Sequence, residues 1–275
     1  MTIAARNRFI RLFRFFSLAF LVVAVLSIIQ LLLRHEVITE IPLNRPFKLL
    51  DSFTTTLQSP YAAIIAIGIL PLYSVLLLSY IHFTFEKTQT VEITFFAAAV
   101  FAVSLETFRL FIPLFHLWIN STFLSVTVSR IVLFSRFFVL LTLLASVIFN
   151  TEQAVQMVGS LIFLLAFVSV SLAYAFPMNT EIIGSNFLVA QGYNSIVNYF
   201  FAITGILTVL SYIVLGKQRG IAEYTGAAAG ILLMLLGYVQ LIFCDTWLFL
   251  VTGAIMLFFG SWLYLKRIHH YYLWQ

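Results

Sequence analysis

A chain of 275 residues that is 62% hydrophobic, 17% aromatic and only 9% charged is not a soluble globular domain, a disordered chain or a coiled coil, because soluble domains carry roughly 25% charged residues. A mean hydropathy of +1.06, with no long polar stretch to supply a soluble catalytic or output domain, points to a polytopic membrane protein. The net charge of +5 comes from basic residues scattered near span boundaries. It reads as topology, and no nucleic-acid partner is expected.

The first apolar run, 15–33, follows Arg6, Arg8, Arg11 and Arg14. It lacks a small-residue cleavage site and is expected to be a retained helix, not a signal peptide. Further runs cover 61–83, 93–117, 123–149, 158–176, 197–215, 225–244 and 247–265. Each is near the ~20 residues that cross ~30 Å of hydrocarbon, and none alternates as barrel strands do. The expected fold is therefore all-α: one transmembrane domain over 1–275 with about eight helices.

Eight spans place both termini on one side. With that side inside, the inner segments hold Arg6, Arg8, Arg11, Arg14, Lys87, Lys217, Arg219, Lys266 and Arg267, against Arg34, Arg45 and Lys48 outside. This excess predicts cytoplasmic termini in a bacterial-type inner membrane. In the outer segment 34–60, Phe47, Leu50, Phe53 and Leu57 recur at near-helical spacing, which predicts a short interfacial helix. The segment 177–196, with Pro177, Asn179, Gly184, Asn186, Gly192 and Asn194, is expected to fold back over the helix ends. No internal repeat supports an inverted-repeat transporter.

Charges inside the spans need partners, water or a purpose. On the third helix Ala99, Ala102, Glu106, Arg109, Pro113 and His116 fall on one stripe, which must face the interior. Pro113 removes the amide donor for the carbonyl of residue 109 and predicts a kink. The fourth helix carries Arg130 and Arg136. Counting from the outer ends puts Arg109 and Arg130 at similar depth, with Glu106 a turn deeper and within reach of either. Arg136 lies about 120° around the helix from Arg130 at 100° per residue, on the face of Ser125 and Ser129.

Three arginines against one glutamate leave two readings. Glu106, Arg109 and Arg130 could be a buried ionic clamp, or the arginines could line an outer-half pocket for a carboxylate, phosphate or lipid headgroup, which guanidiniums bind bidentately. The pocket reading makes Arg130 the free anion site, assisted by Arg109, with His116 and Arg136 nearby and Asn194, Asn198, Tyr199, Tyr238, Gln240 and Asp245 as a possible rim. On the seventh helix Gly226, Gly230, Leu233, Gly237, Gln240 and Cys244 form a small-residue stripe, and Gly253 and Gly260 on the eighth offer its mate. Thr204, Thr208 and Ser211 line one side of the sixth helix.

Other chemistries are demoted. Cys244 is the single cysteine, so no intrachain disulfide or cysteine-rich metal site can form. All four lysines lie outside the spans, which excludes a retinal Schiff base. The histidines do not sit at compatible depths for haem, and no paired carboxylates, zinc spacing or nucleophile–base set appears. No metal, cofactor or catalytic activity is expected, and no signature names a family. The leading expectation is a membrane module that senses or binds an anionic small molecule or lipid headgroup. It would signal through a protein partner or a second copy, with membrane lipids around it. The rivals are a small transporter or channel-like subunit for an anionic solute, and a structural subunit of a membrane complex.

Overall fold

The computed structural model describes residues 2–33, 59–86, 90–150 and 154–273. Their elements in chain order are α1 (Ile3–Leu33), α2 (Pro60–Thr84), α3 (Val91–Val103), a 3₁₀ segment (Ser104–Leu110), α4 (Phe111–Leu114), α5 (Leu117–Asn120), α6 (Thr122–Ile148), α7 (Ala154–Ala175), β1 (Met178–Ile183), β2 (Val189–Gln191), α8 (Asn194–Arg219), α9 (Ala222–Ile242) and α10 (Trp247–Leu273). Among the described residues eight helical segments are long and apolar enough to cross a membrane, the third being Val91–Leu114. The expected apolar runs coincide with them, but α1 and α10 continue well beyond 15–33 and 247–265 into their charged flanks. Ordinary helix formers such as Arg and Lys extend a helix past the apolar stretch at little cost. The interfacial helix expected within 34–60 lies outside the described residues up to 58.

Short polar contacts define the two ends of the bundle. Arg6 donates from Nη2 to the carbonyl of Phe85 at 2.6 Å, Arg219 donates to the carbonyl of Asn150 at 3.0 Å, and the hydroxyl of Tyr272 donates to Glu92 at 3.2 Å. Both termini thus sit at one end, here the terminal end. At the other, the hairpin end, the amide of Ser59 donates to the carbonyl of Asp245 at 3.2 Å, and Ser121 caps α6 by accepting from Leu124 N–H. Gly220, at φ +67°, closes α8 in the left-handed conformation and turns the chain into α9.

The all-α expectation needs one correction. Residues 178–191 form an antiparallel β-hairpin, pairing Met178 with Gln191 and Asn179 with Ala190, with an irregularity before Ile183 pairs with Val189. Its tip enters the bundle. Phe187, with a left-handed φ of +59°, is buried among Ala24, Ile64, Ile67 and Leu110. The main chain here cannot satisfy itself as a helix, so strand pairing and contacts to helix side chains take over. One such contact is the amide of Val189 donating to Ser129 Oγ at 3.1 Å.

Helices in lipid associate by close packing and interhelical hydrogen bonds, since the apolar surround offers no hydrophobic drive. Both occur. The glycines of α9 and α10 face each other: a Cβ on Gly230 would lie 2.7 Å from the amide nitrogen of Tyr264 and 2.8 Å from the carbonyl of Gly260, and one on Gly237 would strike Leu257 and Gly253. The two backbones therefore touch. Hydroxyls tie the remaining helices: Tyr73 to Ser261 at 2.7 Å, Ser135 to the carbonyl of Ala102 at 2.6 Å, and Tyr212 to both Ser146 and Tyr264 at 2.8 and 2.9 Å. The outward faces expose large apolar side chains such as Phe15 and Phe163, which is compatible with a multi-pass membrane protein.

Candidate functional site

The third span changes winding where its charges lie. Pro113 offers no N–H and its ring crowds the carbonyl four residues back, and immediately before α4 the chain runs as a 3₁₀ helix over Ser104–Leu110. In that geometry side chains at i and i+3 eclipse. Glu106 and Arg109 are such a pair, and Arg109 Nη1 donates to Glu106 Oε2 at 3.2 Å. Both side chains are essentially inaccessible.

Arg136 of α6, not Arg130, completes the group. Its Nε donates to Glu106 Oε1 at 2.7 Å and its Nη2 to Glu106 Oε2 at 3.1 Å. The hydroxyl of Tyr238 on α9 donates to Oε1 at 3.3 Å. Arg109 uses its remaining nitrogens on main chain: Nε to the carbonyl of Asn186 at the hairpin tip, 2.9 Å, and Nη2 to the carbonyl of Ile242, 3.0 Å. Ile242 ends α9, where the helix dipole concentrates negative charge. Arg109 thus staples the third span, the hairpin and α9 together, and none of its nitrogens is left over.

Arg136 differs. It is 3% exposed, and its Nη1 makes no hydrogen bond among the described residues. One carboxylate against two guanidiniums leaves a formal positive charge, and the open donor is on Arg136. The residue borders two cavities. One of about 210 Å³ lies under the hairpin, with Gln191, Asn194 and Asn198 on its wall. The other, about 480 Å³, runs between α8 and α9 along apolar side chains. Arg136, Asn198, Phe201 and Phe243 border both.

The expected clamp of Glu106, Arg109 and Arg130 is therefore corrected to Glu106, Arg109 and Arg136. Arg130 sits about 120° around α6, and with Arg136 directed at Glu106 it turns toward α7, its guanidinium 4.6 Å from the centre of the Tyr174 ring. It borders neither of the two cavities. Asn198 and Tyr238 border the site; Gln240 instead accepts from Thr252 at 3.0 Å, and His116 occupies a left-handed position, φ 49°, between α4 and α5. Neither lines the two cavities.

Sequence reasoning missed a second buried acid, Glu92, placed just outside the third span. It accepts from Asn150 and Tyr272, and Asn150 also donates to Tyr224 at 3.0 Å. A signal was available: Glu92 and Asn150 stand equally far from Ser121 along the chain, as do Glu106 and Arg136. Among the described residues no three His, Cys, Asp or Glu side chains gather as a metal site would require.

No family model matches the chain, and no solved structure matches it. It is similar to an uncharacterized protein of Treponema pallidum (strain Nichols), 27% identical over 270 residues, covering 80% of this chain and 78% of that protein.

Proposed function

We propose that this protein is a multi-pass binding module of the bacterial cytoplasmic membrane, with both termini cytoplasmic, that holds an anionic small molecule or lipid headgroup at the hairpin end and reports occupancy to a protein partner or a second copy. The observation that carries this reading is the surplus guanidinium: Arg136 is buried, shares the one carboxylate of Glu106 with Arg109, and lines both cavities. A desolvated guanidinium with an open donor recruits an oxyanion.

The route for the signal follows from contacts. Tyr238 and the carbonyl of Ile242 bind the triad to α9. α9 is locked by its glycines to α10, which carries Lys266, Arg267, His269 and His270 to the terminal end. Below Glu106 the interior is filled by Phe95, Phe96, Val100 and Leu143, which favours binding over passage of a solute.

A thermal-shift series in detergent with inorganic phosphate, glycerol phosphate and short carboxylates tests the reading. A ligand that prefers the folded state stabilises it by ~2.7 kcal/mol at a hundredfold excess over Kd. Wild type responds to at least one anion and Arg136→Gln loses the response, as does Asn198→Leu, which leaves the ion pair intact. No response from wild type to any of these anions or to anionic lipid refutes the proposal.

A further inference from the structure

Resting on the anion-binding reading, the shape of the site specifies more than an anion. The two cavities share Arg136, Asn198, Phe201 and Phe243 in their walls, so a polar chamber adjoins an apolar groove. Gln191 lines the chamber and its Oε1 has no donor among the described residues, while Arg136 Nη1 is a donor without an acceptor. An occupant that brings an anionic oxygen together with a hydroxyl or N–H matches both groups.

The groove adds a third requirement. Its floor includes Gly205 and Leu235, and its outer lip includes Ile206, 59% exposed, and Leu236, 46% exposed. It opens sideways, onto the surface that the membrane would contact. From Asn198 to Leu210, both on its wall, α8 rises about 18 Å at 1.5 Å per residue. One leaflet of a ~30 Å hydrocarbon core is about as thick. The polar chamber is at the hairpin end and the apolar groove runs inward from it, which is the orientation of a lipid in the leaflet on that side.

We infer that the site takes an anionic glycerophospholipid with a hydroxylated headgroup, its phosphate on Arg136, a head hydroxyl on Gln191 and one acyl chain in the groove between α8 and α9. A soluble anion fills only the chamber, and a zwitterionic lipid of the same chains adds a cation beside a surplus guanidinium.

The test uses full-length protein washed free of lipid in detergent, with binding read by native mass spectrometry. The probes are phosphatidylglycerol, phosphatidylcholine of identical chains, and glycerol phosphate. Wild type binds phosphatidylglycerol at least about tenfold more tightly than either of the others, about 1.4 kcal/mol. Gly205→Leu and Ala202→Leu, which fill the groove, remove that preference over glycerol phosphate. A Cβ at residue 205 would lie 3.6 Å from Leu235 Cδ1, an ordinary contact, so the bulk projects beyond it into the groove. Equal binding of the two lipids overturns the inference. So does glycerol phosphate binding as tightly as phosphatidylglycerol, although the anion chamber then stands. Should neither lipid nor glycerol phosphate bind, the chamber and the groove fall together.

Discussion

Glu106 and Arg136 stand fifteen residues either side of Ser121 and meet through two hydrogen bonds, 2.7 and 3.1 Å long. The hairpin of the third and fourth spans is thus registered by an ion pair buried at its core. A one-residue slip would leave a charge without its partner in an apolar surround.

Removing one member of that group costs more than removing a pair. Taking one partner from a buried ion pair typically costs ~3–5 kcal/mol, whereas replacing the whole pair with apolar groups is often neutral. Glu106→Ala is expected to lower thermal stability by that order. Glu106→Leu with Arg136→Met recovers only the part of the loss that Arg136 carries, because Arg109 keeps its two carbonyl acceptors but is still a buried guanidinium without its carboxylate. Unfolding curves in a single detergent check this, and a Glu106→Ala protein as stable as wild type contradicts it.

The glycines of α9 and α10 are not equivalent to other glycines of the chain. Gly237→Ala forces a methyl into Leu257 and Gly253, and overpacking of this kind costs ~1–3 kcal/mol. Gly159→Ala on α7 meets nothing within 4 Å, so the gain in helix propensity, ~0.5–1 kcal/mol, is kept. The two substitutions should shift the melting temperature in opposite directions.

Orientation is testable from the charge split. In a Cys244→Ala background, a cysteine replacing Asn120 should react with an impermeant maleimide in intact cells, and one replacing Gln218 only after permeabilisation. Reaction at residue 218 in intact cells inverts the proposed topology.

Cys244 lies in the turn between α9 and α10, buried, with its Sγ near the carbonyls of Thr246 and Ala62. Burial pushes its thiol up to about 12 from an ordinary 9.0. The thiolate is the reactive species, so alkylation of the folded protein should stay slow through pH 9 and become complete on denaturation. The sign for stability follows: the contribution is whole below pH 9, where the unfolded thiol is also protonated, and is lost as pH rises toward 12. Rapid modification of the native protein at pH 8 would show the site to be open.

Arg130→Gln should leave anion and lipid binding unchanged, since the side chain stacks on Tyr174 away from the chamber. The loss is confined to a cation–π contact worth ~0.5–2 kcal/mol. A variant that loses ligand response here would return the anion site to Arg130.

Much of this architecture is legible in the chain. Runs of apolar residues mark the eight helical segments long and apolar enough to cross a membrane, because a crossing of hydrocarbon takes about 20 such residues. The Gly230–Gly237 and Gly253–Gly260 spacing marks a close approach because only glycine permits it. Glu106 and Arg109 read as a pair from their i,i+3 spacing alone. Arg136 does not, because matching depths across a hairpin requires the position of the turn, and Ser121 is not marked by glycine or proline. The β-hairpin is obscured for a related reason. Its asparagines and glycines signal turns, but the burial of Phe187 depends on a hole between α1, α2 and the third span that no local pattern encodes.

The 3₁₀ segment gives the third span two screw threads. At 120° and 2.0 Å per residue in place of 100° and 1.5 Å, the seven residues of Ser104–Leu110 accumulate about 140° of extra rotation and about 3.5 Å of extra length over an α-helix. Ala99 and Pro113 therefore belong to different threads, and the side each presents is set independently. Rewinding the stretch to an α-helix would swing Arg109 about 60° away from Glu106, from three residues at 20° each. It would also draw Pro113 and the chain beyond it toward the terminal end, so a change of pitch alone, with no helix sliding past its neighbour, re-aims Arg109 relative to the hairpin while leaving it an i,i+3 neighbour of Glu106.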